Sequence, residues 1–113
     1  MAARRLRIDV RPRAEADIDA ALDHYLLEGG LDVAERFGGA LGEALDRLVR
    51  NPGIGSPRYA DAAAIPGLRA WSLRWWPYLV FYVHGADAID VVRVLDGARD
   101  IPVTLAEADA PEN

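Results

Sequence analysis

Residues 73–100, LRWWPYLVFYVHGADAIDVVRVLDGARD, are the stretch that decides the fold. Two segments, 78–84 and 89–95, are rich in aromatic and β-branched residues, and a short connection containing Gly85 separates them. This pattern predicts two antiparallel strands joined by a hairpin turn. Because both segments are apolar at nearly every position, we expect the hairpin at the centre of a sheet with little of either face fully exposed to water.

Arg93 is the exception in this hairpin, because it places a charge between Val92 and Val94. Alternation along a strand predicts that Arg93 points to the face opposite both valines. A guanidinium on a covered face is costly unless it has a partner. We therefore expect Arg93 to be ion-paired with Asp90, with Asp96 or with an acid on a neighbouring helix.

Length and composition predict one modest globular domain. The chain has 113 residues, of which 51% are hydrophobic and 27% charged, and we expect a single domain over residues 1–105 with a flexible acidic tail over 106–113. The absence of cysteine excludes disulfides, zinc–thiolate sites and thiol nucleophiles. The basic start leads into no long apolar run, which predicts a cytoplasmic protein without a membrane partner. We expect neither a cofactor nor a metal site.

Charge is distributed unevenly along the chain. The net charge is −5, but residues 1–13 sum to +4 and residues 14–64 sum to −6. A basic strand followed by an acidic helical half argues against a broad nucleic-acid surface, so we expect no sequence-specific nucleic-acid binding. All thirteen basic residues are arginine, whose planar fork suits carboxylates and phosphates.

The first half of the chain predicts a strand and two helices. Alternating apolar residues over 6–10 predict a strand, Pro12 suits the first position of a helix, and Gly29 with Gly30 ends that helix. The second helix runs over about 31–50, and Gly38, Gly39 and Gly42 are expected to let the first helix approach closely. Helical spacing predicts that the core-facing residues are Ala14, Ile18, Ala21, Leu22, Tyr25 and Leu26 in the first helix, with Ala34, Phe37, Leu41, Leu45 and Leu48 in the second.

The predicted element order is β-α-α-β-β-β, with a strand over 67–73 leading into the central hairpin. A helical hairpin can cover one face of an antiparallel sheet. We therefore predict an α+β fold, a small antiparallel-rich sheet with the N-terminal helical hairpin packed on one face. The first strand is expected beside the last or the middle strand.

Several short motifs, taken in order, carry a family resemblance. They are Ala14-x-x-Asp17-Ile18 followed by Tyr25, then Ala34-x-x-Phe37, Asn51-Pro52, YLVFY over 78–82 and VRVLDGARD over 92–100. Together they resemble the ParE branch of the RelE/ParE toxins of bacterial type II toxin–antitoxin systems, over residues 6–102.

This resemblance implies a toxin that arrests growth by binding and poisoning DNA gyrase, without catalysis, and that a cognate antitoxin neutralises in a hetero-oligomer. RelE-like relatives instead cleave messenger RNA on the ribosome and usually carry an arginine after the first tyrosine of the strand, where this chain has Leu79. Many ParE-like relatives carry histidine where this chain has Asp96. A ribosome-dependent endoribonuclease and a non-toxic binding module remain the alternatives.

The candidate site residues cluster around three tryptophans within six residues. So many indoles are hard to bury in so small a core, so we expect at least one to cover an exposed groove. We assign antitoxin binding to Trp71, Trp75, Trp76 and Tyr78, and target binding to Arg69, Arg74, Arg99 and Asp100. The alternative for Arg69 and Arg74 is solvation or pairing with helix carboxylates, and for Arg99 with Asp100 it is capping of the sheet. No residue is assigned a catalytic role.

Overall fold

A mixed four-stranded sheet carries the helical hairpin, as a computed structural model shows for residues 6–98, 101 and 104–105. Its elements are β1 (Arg7–Val10), α1 (Pro12–Gly29), α2 (Leu31–Arg50), α3 (Ala60–Ala63), β2 (Leu68–Ser72), β3 (Tyr78–His84) and β4 (Ala88–Asp96). The predicted α+β class and the element order β-α-α-β-β-β along the chain are confirmed. The short α3 in the loop after α2 was not predicted. The expected acidic tail lies outside the described residues.

The predicted hairpin lies at the centre of the sheet, whose strand order is β1-β4-β3-β2. β3 pairs antiparallel with both β2 and β4, whereas β1 pairs parallel with β4, from Arg7 opposite Ala88 to Val10 opposite Val91. The first strand therefore lies beside the last strand, one of the two expected positions. The chain between β1 and β4 runs through the helical hairpin, β2 and β3, and so supplies the long connection that a parallel pair needs.

Both faces of the sheet are covered, as the sequence predicted. The helices cover one face, and the first cluster of buried residues includes Phe37, Leu48, Val80, Tyr82, Val91 and Val94. The loop after α2 and the segment after β4 cover the other face, and the second cluster includes Ala63, Ile65, Leu68, Phe81, Val92, Leu95, Ile101 and Leu105. The central strands contribute to both clusters, which is why they lack an apolar–polar alternation.

The last turn of α1 departs from the prediction. Ala14 and Ala21 are buried as expected, but Leu26 is 47% exposed. Tyr25 is the last residue of α1 that packs against the core. The apolar spacing of α1 continues past the point where the helix leaves the core, so Leu26 faces solvent. The prediction that Leu26 faces the core was therefore wrong.

The glycines of α2 have room for side chains. A Cβ at Gly38 would lie 3.9 Å from Leu22 Cδ2, an ordinary contact, and a Cβ at Gly39 or Gly42 would have no atom within 4 Å. The prediction that these glycines permit a close approach of α1 was therefore wrong. Each glycine lowers helix stability by up to about 1 kcal/mol relative to alanine without a packing gain inside the described chain.

A β-bulge in the central hairpin reverses the expected alternation. Phe81 pairs with Arg93 and Tyr82 pairs with Val91, so Val92 is an extra residue in β4. Val92 packs in the second cluster while Val94 packs in the first. The prediction that Arg93 points away from both valines was wrong, because the bulge places these valines on opposite faces.

Arg93 is paired with Asp17 of α1, the third of the expected kinds of partner. Arg93 Nε donates to Asp17 Oδ2 at 2.6 Å and Nη2 donates to Oδ1 at 2.8 Å, and both side chains are about 10% exposed. Asp17 Oδ2 also accepts a hydrogen bond from the backbone N–H of Val94 at 3.0 Å. Because β1 ends at Val10, opposite Val91, this carboxylate binds β4 where β1 no longer pairs with it.

Substituting Arg93 with alanine should lower the free energy of unfolding by about 3–5 kcal/mol, because it leaves the buried Asp17 carboxylate without its cation. Denaturant unfolding measures the loss. Arg7→Ala is the control, since the Arg7–Asp9 pair is exposed and its removal should change stability little. Equal stability of Arg93→Ala and wild-type protein would contradict this role.

Candidate functional site

A tight turn between β2 and β3 presents the most exposed tryptophan. The N–H of Trp76 donates to the carbonyl of Leu73 at 3.2 Å, which closes the turn, and Trp75 has φ +74°. A positive φ at the third turn position favours glycine or asparagine and costs other residues about 1–2 kcal/mol. The side chain of Trp75 is nonetheless 86% exposed. This residue carries both backbone strain and solvent exposure with no compensating burial.

The other two tryptophans are half-buried against the helix-side core. The Trp76 ring lies edge-on to Tyr25 at 4.8 Å and to Phe37 at 5.3 Å between ring centroids. Such aromatic pairs contribute about 0.5–1.5 kcal/mol beyond burial. Trp76 therefore anchors the turn to the helical hairpin, and Trp75 projects from that anchored base.

An open groove of about 940 Å³ joins this turn to the C-terminal half of α2. We call it the tryptophan groove. Its lining comprises Ala40, Glu43, Ala44, Asp46, Arg47, Arg50, Asn51, Ile54, Trp71, Ser72, Arg74, Trp75 and Trp76. The exposed groove expected beside the tryptophans thus lies between α2 and the turn that joins β2 to β3.

Three arginines and two acids line the tryptophan groove. Arg74 stacks its guanidinium 5.2 Å from the ring centroid of Trp75, a cation–π distance. Arg47 and Arg50 come from the last turn of α2 and were not predicted as site residues. In the sequence, Arg47 and Arg50 look like ordinary residues of an exposed helix face. Helical spacing cannot show which other element of the fold lies next to that face.

Arg69 differs from these three arginines because its guanidinium binds backbone carbonyls. Its Nη1 donates to the carbonyls of Gly55 at 2.7 Å and Gly53 at 3.2 Å. The backbone of Ser56 also pairs with Ala70 through two hydrogen bonds of 2.8 and 2.9 Å. Arg69 therefore holds the loop after α2 against β2, and it does so through carbonyls rather than through helix carboxylates.

Tyr78 lies outside the tryptophan groove. It packs against Phe37, 5.3 Å between ring centroids, and lines a smaller groove of about 430 Å³ beside α1 and β4. Trp71, Trp75, Trp76 and Arg74 thus line one groove, whereas Tyr78 lines the other, although Tyr78 and Trp76 both pack against Phe37. The other two residues assigned to target binding, Arg99 and Asp100, lie outside the described residues.

The part of the chain that the structure describes contains neither a cluster of metal-binding side chains nor a membrane-spanning helix. Among residues 6–98, 101 and 104–105, no group of three or more histidine, cysteine or carboxylate side chains is arranged to bind a metal. Within the same residues, no helix is both long enough and apolar enough to span a bilayer.

Comparison with protein families shows to which family the chain belongs. Residues 8–101 match the family described as the ParE toxin of the type II toxin–antitoxin system, parDE. The chain belongs to this ParE toxin family.

Individual relatives agree with the ParE assignment. The chain is 37% identical over 95 residues to Toxin ParE1 of Mycobacterium tuberculosis, in strains CDC 1551 / Oshkosh and ATCC 25618 / H37Rv, covering 83% of this chain and 92% of the relative. A solved structure described as the chromosomal ParDE TA system from P. aeruginosa superposes with a TM-score of 0.66 at 26% identity, covering 81% of this chain and 96% of that one.

The two departures from the family patterns have structural roles in this ParE chain. Leu79 is half-buried on β3 and packs against the second core cluster. Asp96 accepts a hydrogen bond from the N–H of Ala98 at 2.8 Å through Oδ1. An aspartate bonding two residues ahead stabilises a turn, so Asp96 shapes the chain's exit from β4.

Tyr82 fixes the loop to which Arg69 binds. Its hydroxyl donates to the carbonyl of Pro52 at 2.7 Å and accepts from the N–H of Gly55 at 2.9 Å. A Cβ at Gly55 would lie 2.7 Å from that hydroxyl, so only glycine fits there. Burial raises the pKa of Tyr82 above the usual tyrosine value, although the Gly55 hydrogen bond and the Arg69 charge oppose the shift.

Tyr82→Phe should lower the free energy of unfolding by about 1–3 kcal/mol near pH 7, because Gly55 N–H and Pro52 C=O lose their partner. A raised folded-state pKa contributes stability below the unfolded pKa of about 10, and this contribution is lost as pH rises through the folded pKa. The variant should therefore show less alkaline destabilisation than the wild type.

Urea unfolding between pH 7 and 11 measures both effects of Tyr82→Phe. Tyr25→Phe is the control at pH 7, since no hydrogen bond of the Tyr25 hydroxyl occurs among the described residues. Burial also raises the pKa of Tyr25, so the alkaline measurement compares Tyr82→Phe with the wild type alone. If Tyr82→Phe and wild-type protein have the same stability at every pH, the hydroxyl does not fix this loop.

Proposed function

We propose that this ParE-family chain arrests bacterial growth in the cytoplasm by binding and poisoning DNA gyrase without catalysis. We further propose that a cognate antitoxin neutralises it by placing a segment in the tryptophan groove. Family membership supports the toxin role. The P. aeruginosa neighbour, described as a ParDE toxin–antitoxin system, supports an antitoxin partner.

The observation that carries the antitoxin proposal is Trp75. A tryptophan with φ +74° and 86% exposure costs backbone strain and gains almost no burial in the isolated chain. Tryptophan is also among the residues that most often dominate binding energy at interfaces. A partner that covers the indole would supply the missing burial.

The groove specifies the chemistry of the antitoxin segment. Trp71 and Trp76 offer apolar surface, while Arg47, Arg50 and Arg74 offer guanidinium forks for carboxylates. A disordered segment with aliphatic and acidic side chains would fit both features and fold as it binds. The free-energy cost of ordering the segment would offset part of its gross interaction energy.

One groove would serve two partners. Arg74 was assigned to the target and the tryptophans to the antitoxin, and all four residues line the tryptophan groove. We propose that the antitoxin blocks the target by occupying this shared surface. Arg99 and Asp100 remain proposed target contacts, whereas the loop contacts of Arg69 favour a structural role for it.

The apolar packing at position 79 supports binding rather than RNA cleavage. Cleavage at a ribose needs a general base, a general acid and cations around the scissile phosphate. The strand position where RelE-like relatives usually place an arginine is Leu79, which packs against the second core cluster.

Expression without antitoxin should cause filamentation and DNA-damage signalling, and the purified protein should inhibit supercoiling by gyrase, because the proposed mechanism is gyrase poisoning. Microscopy, a damage reporter and a plasmid supercoiling assay measure these effects. Cleavage of translated messages at codon positions, with gyrase activity unaffected, would instead favour the ribonuclease alternative.

Trp75→Gly should weaken antitoxin binding about tenfold or more, since a dominant interface residue is worth upward of 1.4 kcal/mol. Its folding stability should stay near that of the wild type, because relief of the positive-φ strain offsets the greater freedom of an unfolded glycine. Calorimetric titration with antitoxin and thermal melting measure the two quantities.

Trp75→Ala is the matched comparison, because it also removes the indole but keeps a side chain at φ +74°. Both variants should lose the same affinity while the alanine variant melts at the lower temperature. Wild-type affinity in both variants would show that Trp75 lies outside the antitoxin interface.

A further inference from the structure

Three exposed leucines lie where the helical hairpin reverses direction. Leu27 is 86% exposed, Leu31 is 64% exposed and Leu26 is 47% exposed. Leu26 and Leu27 belong to the last turn of α1, and Leu31 is the first residue of α2. We call this surface the leucine tip.

The leucine tip has no structural use within the described chain. Leu26, Leu27 and Leu31 are absent from both core clusters, although Leu22 and Tyr25 of the same helix pack against the first. Single exposed leucines are ordinary on protein surfaces, whereas contiguous exposed apolar patches mark contact sites, and these three leucines lie within a span of six residues. Among the described residues, the large hydrophobic side chains that stay exposed are these three leucines and Trp75.

The charges around the leucine tip are predominantly acidic, and the first cation that follows them in sequence is Arg36, exposed on α2. Residues 14–35 contain seven acidic side chains and neither lysine nor arginine. Asp17 is neutralised by Arg93, but Asp23, Glu28, Asp32 and Glu35 are exposed on the turns next to the leucines. A partner surface that covers this tip must therefore place cations around an apolar centre.

The leucine tip and the tryptophan groove lie at opposite ends of α2. Leu31 begins this helix, and Arg47 and Arg50 lie in its last turn. The groove lining begins at Ala40, nine residues and about 14 Å along α2 from Leu31, and extends to Arg50. A compact segment bound in the tryptophan groove would therefore leave the leucine tip open.

We infer that the leucine tip is a second docking surface for the protein target, which receives it in an apolar socket rimmed by lysine or arginine. This inference rests on the proposed function, because it assumes that the chain acts by binding a protein target. A symmetric contact with a second copy is disfavoured because it would bring two acidic tips together.

Leu27→Gln and Leu31→Asp test this surface while preserving the helices. Glutamine is a good helix former, and aspartate is favoured in the first turn of a helix. Ala16→Asp is the matched control, since it adds a charge to an exposed position of α1 about eleven residues from the tip. Thermal melting, antitoxin titration, growth arrest at equal protein level and binding to purified gyrase are measured for each variant.

Both leucine variants should melt like the wild type, bind antitoxin within about twofold of it and lose growth arrest, with target affinity reduced about tenfold or more. Ala16→Asp should behave like the wild type in all four measurements. Full growth arrest by both leucine variants would overturn the inference. Loss of antitoxin binding by both would overturn it too, because the tip would then belong to the antitoxin interface.

Failure of the proposed function gives a different pattern. If wild-type protein arrests growth but leaves gyrase unaffected, gyrase is not the target, and growth arrest by the leucine variants still decides the role of the tip. If wild-type protein does not arrest growth, the proposed function fails, and the inference that rests on it fails with it.

Discussion

The interaction on which the architecture depends most is the binding of the Asp17 carboxylate to β4. This carboxylate binds the Arg93 guanidinium and the N–H of Val94, and so joins α1 to β4 beyond the end of β1. A buried ion pair adds little net stability over an apolar pair, but breaking one partner is expensive. Its value here is positional, because it fixes where the helical hairpin lies on the sheet.

The bulge at Val92 makes that position possible. Without the extra residue, Val92 and Val94 would face the same side of the sheet. With it, Val92 fills the core on one side and Val94 fills the core on the other, while Arg93 reaches Asp17. The bulge thus lets β4 contribute side chains to both cores while Arg93 binds α1.

The well-packed centre contrasts with features at the surface that lower stability. Trp75 holds a positive φ and stays exposed, Leu27 and Leu31 stay in water, and Gly39 and Gly42 weaken α2 without a packing gain. Each is unfavourable for the isolated chain. Such features are tolerated when the rest of the fold is secure, and the proposed binding of an antitoxin and a target would give Trp75 and the leucines a use.

The sequence alone determined the two long helices, the four strands, their order along the chain and the resemblance to the ParE branch, because these depend on local spacing and on ordered motifs. It also indicated that at least one of the three tryptophans is exposed, and Trp75 is. Only the tertiary structure decided that Arg93 pairs with Asp17, that Arg74 shares a groove with Trp75, and that Tyr78 does not. Pairings between residues far apart in sequence depend on register, on a bulge and on where each helix ends, and none of these is recorded in local periodicity.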